Sequence, residues 1–94
     1  MLFHKTTDRS AYRSALDAAG DYDDVVFWNE KGEVTESANA NVVVRIDDQL
    51  WTPPVACGLL AGTFRDQLLE EGKINERIIS VAELWSAQET FLIN

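Results

Sequence analysis

Short β-branched and aromatic runs, punctuated by turn-forming residues, organise this chain. Residues 2–5 form the end of a strand. Beyond them Asp8 can cap a helix whose inward face is Tyr12, Ala15, Leu16 and Ala19, spaced three and four apart. Gly20 and the acidic stretch Asp21-Tyr22-Asp23-Asp24 stop that helix. Val25-Val26-Phe27-Trp28 is apolar throughout, the pattern of a strand buried on both faces or nearly so. Asn29-Glu30-Lys31-Gly32 makes a turn in which Gly32 supplies a positive φ. Further strands follow over Val34–Glu36, over the valine-rich Asn41–Ile46 and over Leu50–Thr52, with Asp47-Asp48-Gln49 turning between the last two. Residues 25–52 therefore predict an antiparallel meander.

Pro53-Pro54 ends that ladder, because proline has no N–H to give it. A loop through Cys57-Gly58 leads to Gly62-Thr63, which opens a helix; Thr63 and Asp66 have capping-box spacing, with Asp in place of Glu. Phe64, Leu68 and Leu69 are its expected buried face and Gly72 its stop. Ile74–Ser80 predicts a strand, Ser80 the cap of a short helix over Val81–Ala87, and Glu89–Ile93 a final strand. The fold class is mixed α/β (α+β): a meander, two or three helices, and strands returning to the same sheet. There is no internal repeat, linker or low-complexity segment.

Composition narrows the function classes. With 94 residues and 46% apolar content the chain makes one globular domain or one piece of a domain. A net charge of −8 argues against nucleic acid and against an anionic membrane surface. The single Cys57 excludes an internal disulfide framework and suits a reducing compartment. The N-terminal Met-Leu-Phe-His-Lys is too short and too mixed for a signal peptide, and no apolar run approaches a membrane span, so the expected setting is cytoplasmic.

Three places carry candidate chemistry. Lys5, at a strand end, becomes an imine-forming nucleophile if burial or a nearby positive charge depresses its pKa. Glu36, in a strand-rich region, is a carboxylate that could sit against a pyridine nitrogen and keep it protonated. Gly62-Thr63 offers the N–H groups and positive dipole end of a helix, a seat for a phosphate that needs no basic side chains. Taken singly, each also has an ordinary reading: a solvated lysine, a solvent-facing glutamate, a routinely capped helix. His4 is the sole histidine and has no partner spaced for a metal; it is structural or helps orient a site. Cys57 has no histidine base in sequence reach and is expected to be packed. Asp21, Asp23 and Asp24 lack the spacing and glycine of a calcium loop.

Taken in order, these segments resemble the C-terminal part of the fold-type IV (aminotransferase class IV) enzymes that use pyridoxal 5′-phosphate. The family pattern is met by Glu36, Ala38 and Asn41, then by Leu50 and Thr52, then by Leu60, Gly62 and Arg65. Val43 departs from it, where an aromatic is usual, and so does Thr63, where an aliphatic is usual. The resemblance covers almost the whole chain. The run Lys5-Thr6-Thr7-Asp8-Arg9 is more similar to the lyases of the family than to its branched-chain or D-amino-acid aminotransferases. Phe-His-Lys-Thr-Thr-Asp-Arg, Phe-Trp-Asn-Glu and Thr-Pro-Pro-x-x-Cys-Gly-Leu-Leu resemble the aminodeoxychorismate lyase domain fused behind component I of para-aminobenzoate synthase.

The resemblance implies a C-terminal domain of the D-amino-acid aminotransferase-like fold. It implies that Lys5 carries the cofactor as an imine, that Glu36 pairs with the pyridinium, and that the Gly62-Thr63 backbone binds phosphate, with Asn41 also at the cofactor. The implied reaction converts aminodeoxychorismate to para-aminobenzoate and pyruvate, as in folate biosynthesis. An aminotransferase, or a module that has lost the cofactor, are the alternatives. Since the family site lies between two domains, residues 1–94 are expected to be a partial C-terminal domain without its N-terminal partner, with little or no activity alone. An apolar face around Phe91–Ile93 is expected to be exposed, and with it a homo-oligomer.

Overall fold

The computed structural model describes the strand Leu2–Lys5 and residues 25–94. The helix expected after Asp8 falls outside the described residues. Strands β1 (Leu2–Lys5), β2 (Val25–Trp28) and β3 (Val34–Ser37) form one sheet in that order. β1 runs parallel to β2, with Leu2 opposite Val25 and Lys5 opposite Trp28. β2 and β3 are antiparallel, with a bulge between Val26 and Trp28. Val25, Val26 and Phe27 are fully buried, as an unbroken apolar run predicts. Gly32 turns the chain between β2 and β3 with φ 76°.

A second sheet takes the order β6-β5-β4-β7, from β4 (Asn41–Ile46), β5 (Gln49–Thr52), β6 (Asn75–Glu76) and β7 (Glu89–Ile93). The single meander expected over residues 25–52 is therefore split between β3 and β4. The physical reason is edge occupancy. A strand has two edges, and β4 gives one to β5 and the other to β7, with Val44 opposite both Trp51 and Thr90. Ser37 closes the chain reversal between the sheets, its N–H and hydroxyl both donating to Ala40 O at 2.9 Å.

The strand expected over Ile74–Ser80 is also shorter than its pattern. β6 pairs in parallel with β5 for only Asn75 and Glu76, and Arg77 N–H donates to Thr52 O at the end of that ladder. Pro53 and Pro54 offer no further N–H groups, so the segment crosses to the first sheet. There Val34 N–H donates to Ile79 O, and Ser80 bridges to Glu33. Ser80 then caps the short helix α2 (Val81–Ser86) through a complete capping box with Glu83.

Helix α1 (Thr63–Glu70) ends in the hydrogen-bond pattern of a Schellman motif, with Gly72 at φ 73°, Gly72 N–H on Leu69 O and Lys73 N–H on Leu68 O. Its buried residue is not the expected Phe64, which is 41% exposed, but Arg65, which is 2% exposed; Leu68 and Leu69 are half-buried. The guanidinium has a carbonyl and a carboxylate to bind beneath the helix, and these turn the helix so that Phe64 faces outward. Val26 and Val34 of the first sheet pack with Val42 and Val44 of the second, and with Ile79 and Leu84, in one core.

Candidate functional site

β3 and β4 belong to different sheets, yet one side chain from each reaches the same loop. Glu36, 4% exposed, accepts the Leu60 N–H on Oε1 at 3.0 Å. Asn41, 5% exposed, donates from Nδ2 to Leu60 O at 2.8 Å and accepts the Gly62 N–H on Oδ1 at 2.9 Å. Three side-chain bonds thus hold the Leu60–Gly62 backbone, while the Leu60 side chain itself is 65% exposed. Leu60 is recognised here through its backbone.

Gly62 is glycine for a reason of space. A Cβ there would lie 2.7 Å from Asn41 Oδ1, far inside contact distance. Gly62 is also the N-cap of α1, and no side chain caps that end. The capping box expected between Thr63 and Asp66 is not formed: Thr63 is the exposed first residue of the helix, and Asp66 Oδ1 accepts from Arg65 Nη1 at 3.2 Å instead. The reason is register. The cap position falls one residue earlier, on a residue without a side chain, and Asn41 reaches in to bind its N–H. The positive end of α1 therefore opens without a capping side chain of its own.

Lys5 is the last residue of β1, opposite Trp28 of β2, while Glu36 lies in β3 on the other side of β2. Trp28 is in turn opposite Val34, so Glu36 lies two strands across from Lys5 and two residues further along the sheet, roughly 12 Å between backbones. The side chains of His4 and Lys5 lie outside the described residues. A pocket of ≈260 Å³ is lined by Glu36, Ala38, Asn41, Leu60, Gly62 and Asn94. It brings together Glu36, Asn41 and Gly62 of the sequence-derived set, with Thr63 next in the chain. Among the described residues no group of His, Cys, Asp or Glu is arranged to hold a metal ion.

Two further motif residues prove structural. Thr52 is fully buried and donates its hydroxyl to Val42 O at 2.7 Å, tying β5 to β4. Arg65 donates from Nη2 to Pro53 O at 3.0 Å and to Glu76 Oε2 at 2.7 Å, tying α1 to β5 and β6. Cys57 is packed as expected, 8% exposed, and its thiol is pushed up to about 11 by burial first, then by the Glu33 carboxylate beside it. That rules against a thiolate at neutral pH. The backbone role of Leu60 left no signal in its own residue type; the pairing of Glu36 and Asn41 with a downstream glycine is where it could be sought.

The fold is that of the class IV aminotransferases. A Mesorhizobium loti protein of known structure, provisionally named an amino-acid aminotransferase, superposes with a TM-score of 0.84 at 39% identity, over 97% of this chain and 45% of that one. The branched-chain amino acid aminotransferase of Thermobaculum terrenum in its PLP-bound holo form superposes with a TM-score of 0.75 at 27% identity, over 90% of this chain and 31% of that one. By sequence, a Schizosaccharomyces pombe protein provisionally named an aminodeoxychorismate lyase is 40% identical over 77 residues, covering 78% of this chain and 33% of that protein. The model of the amino-transferase class IV family matches residues 2–94, and the chain belongs to that family. It spans between about a quarter and a half of the length of the curated relatives it matches, at 33%, 46% and 27%.

Proposed function

We propose that these residues are the cofactor-binding C-terminal part of a pyridoxal-phosphate-dependent 4-amino-4-deoxychorismate lyase. The observation that carries this is Glu36: a carboxylate 4% exposed, lining a pocket beside a helix start. Its Oε1 accepts the Leu60 N–H at 3.0 Å, which fixes the carboxylate at the pocket wall. The donor set fits the cofactor. A buried carboxylate could pair with a protonated ring nitrogen, and a helix N-terminus without a capping side chain, at the same pocket, could take a phosphate.

Bound there, pyridoxal phosphate supplies an electron sink conjugated to the substrate amine. The chain's own residues do the rest. Glu36 holds the proton on the ring nitrogen. The Thr63 N–H at the start of α1 would orient the phosphate, the Gly62 N–H being already given to Asn41 Oδ1 beneath it. Lys5 would hold the cofactor through its Nζ, and with that amine free Nζ would take a proton from the substrate and return one as pyruvate leaves and the ring becomes aromatic. The residues that complete the site would come from beyond these 94, and the chain alone is expected to show little or no lyase turnover.

A second reading, an aminotransferase, is favoured by the Mesorhizobium loti and Thermobaculum terrenum likenesses. The Lys5–Arg9 run favours the lyase. The test is chemical. Mixed with pyridoxal phosphate, the chain should show an imine band, and borohydride should fix the cofactor on Lys5. Labelling at Lys31 or Lys73 instead, or none, would sink the cofactor reading. In the longer protein, para-aminobenzoate release without a keto-acid acceptor separates lyase from aminotransferase.

A further inference from the structure

We infer that Asn41 is a positioning residue that fixes the Leu60–Gly62 backbone, and with it the start of α1, at a set distance from Glu36, so that the pocket selects phosphorylated over unphosphorylated pyridine ligands. This rests on the pyridoxal-phosphate reading above and adds to it a determinant of ligand choice. Both polar atoms of the Asn41 amide are already engaged, Nδ2 on Leu60 O at 2.8 Å and Oδ1 on the Gly62 N–H at 2.9 Å. Asn41 therefore acts on a ligand through the loop it holds. The same peptide segment gives its Leu60 N–H to Glu36 at 3.0 Å. One short stretch of backbone is thus tied to the ring-nitrogen carboxylate on one side and runs into the helix start on the other.

The chemistry of the clamp is specific. A carboxamide offers a donor and an acceptor together and brings no negative charge to an anion seat, whereas a carboxylate would lose the donor and add a charge. Asn41 is 5% exposed, so water competes little for these bonds. Gly62 is part of the device: a Cβ 2.7 Å from Oδ1 would push the amide off its partner. Asn41→Ala and Gly62→Ala thus disable the same contact from opposite sides.

The experiment is a pair of binding titrations on the full 94-residue chain, with pyridoxal phosphate and with pyridoxal. Both can form an imine, so the ratio of their dissociation constants reports the phosphate seat. The unaltered chain should prefer the phosphorylated ligand. Asn41→Ala should lower that preference roughly tenfold or more, the scale of a helix-terminus contact, while pyridoxal binding stays within about twofold. Gly62→Ala should do the same, and serves alone if Asn41→Ala does not fold. The double variant should fall no further than either single one. A role limited to stability would weaken both ligands together. Full preference retained in the single variants, or losses that multiply in the double, would overturn the inference alone. An unaltered chain with no preference for the phosphorylated ligand would instead overturn the pyridoxal-phosphate reading, and the inference with it.

Discussion

The two ends of β4 are built from the same kinds of residue and do opposite work. At the first end Asn41 is 5% exposed, and its amide, with Glu36, holds a loop in place through three bonds. At the far end Arg45 pairs with Glu89 at 2.9 Å, their side chains 33% and 54% exposed, and Gln88 exchanges bonds with the exposed Asp48 at 2.8 and 3.0 Å. The far end also has the larger hollow, ≈400 Å³ against ≈260 Å³. Size does not pick out the chemistry here. Polar groups withdrawn from water keep one geometry, because leaving it strands them; exposed ones can exchange partners with solvent at little cost. Glu36, Asn41 and Gly62 belong to the first kind, and they meet at the start of α1.

Removing a buried polar group should break this contrast most severely. Arg65 extends the buried set along α1, with its guanidinium on Pro53 O and Glu76. Its Nε has no hydrogen-bond partner among the described residues, so burial of this charge is not fully repaid. Arg65→Ala strands the Pro53 carbonyl and opens a cavity, and about 2–4 kcal/mol of stability should be lost in urea unfolding. Arg45→Ala, at the exposed end, should cost less than about 1 kcal/mol. Equal losses would mean that burial does not separate the two ends.

A pH titration tests the buried side in another way. The Cys57 thiol is raised from 9.0 to about 11, by burial and by the neighbouring Glu33. The unfolded chain therefore releases this proton near pH 9 and the folded chain near pH 11, so between them the unfolded state binds fewer protons. The contribution is fully present below about pH 9 and is lost as pH rises toward 11, by about 1–3 kcal/mol. Stability of the unaltered chain should fall more steeply than that of Cys57→Ala across this window. Parallel slopes would show that the thiol titrates alike in both states.

The elements of this fold were largely legible in sequence because their signals are local. Val25–Trp28 and Asn41–Ile46 are β-branched or aromatic runs, Gly32 and Gly72 mark positive φ, and Ser80 with Glu83 spells a capping box. What the sequence could not show is competition. The break between β3 and β4 depends on β7, forty residues and more downstream in the chain, taking the edge that a meander would have used. The inward turn of Arg65 depends on Pro53 and Glu76 lying beneath it. For the site, residue types pointed to Glu36 and Gly62 and the family pattern to Asn41; Leu60 entered only as an apolar position of that pattern, and its contribution is two backbone groups common to nearly every amino acid.

The smallest expected effect has the opposite sign, and it sharpens the contrast most. The far hairpin turns through Asp47 and Asp48, both with positive φ, at 53° and 63°. Two such residues in succession are the pattern of a type I′ turn, whose second position favours glycine. Asp48→Gly removes a side-chain strain of up to about 1 kcal/mol and gives up one exposed bond, Gln88 Nε2 to Asp48 Oδ1 at 3.0 Å, worth roughly half that. The Asp48 N–H bond to Gln88 Oε1 is made by the backbone and survives. A net gain of up to about 0.5 kcal/mol should appear as a raised urea midpoint with an unchanged slope. At the first end the reverse exchange, Gly62→Ala, should destabilise, although Gly62 has a φ of −79° that alanine adopts freely. A glycine is thus missing where backbone conformation asks for one and present where only contact distance does, 2.7 Å from Asn41 Oδ1. If Asp48→Gly destabilised the chain instead, the Gln88 contact would be holding that turn, and the far end of β4 would be as constrained as the near one.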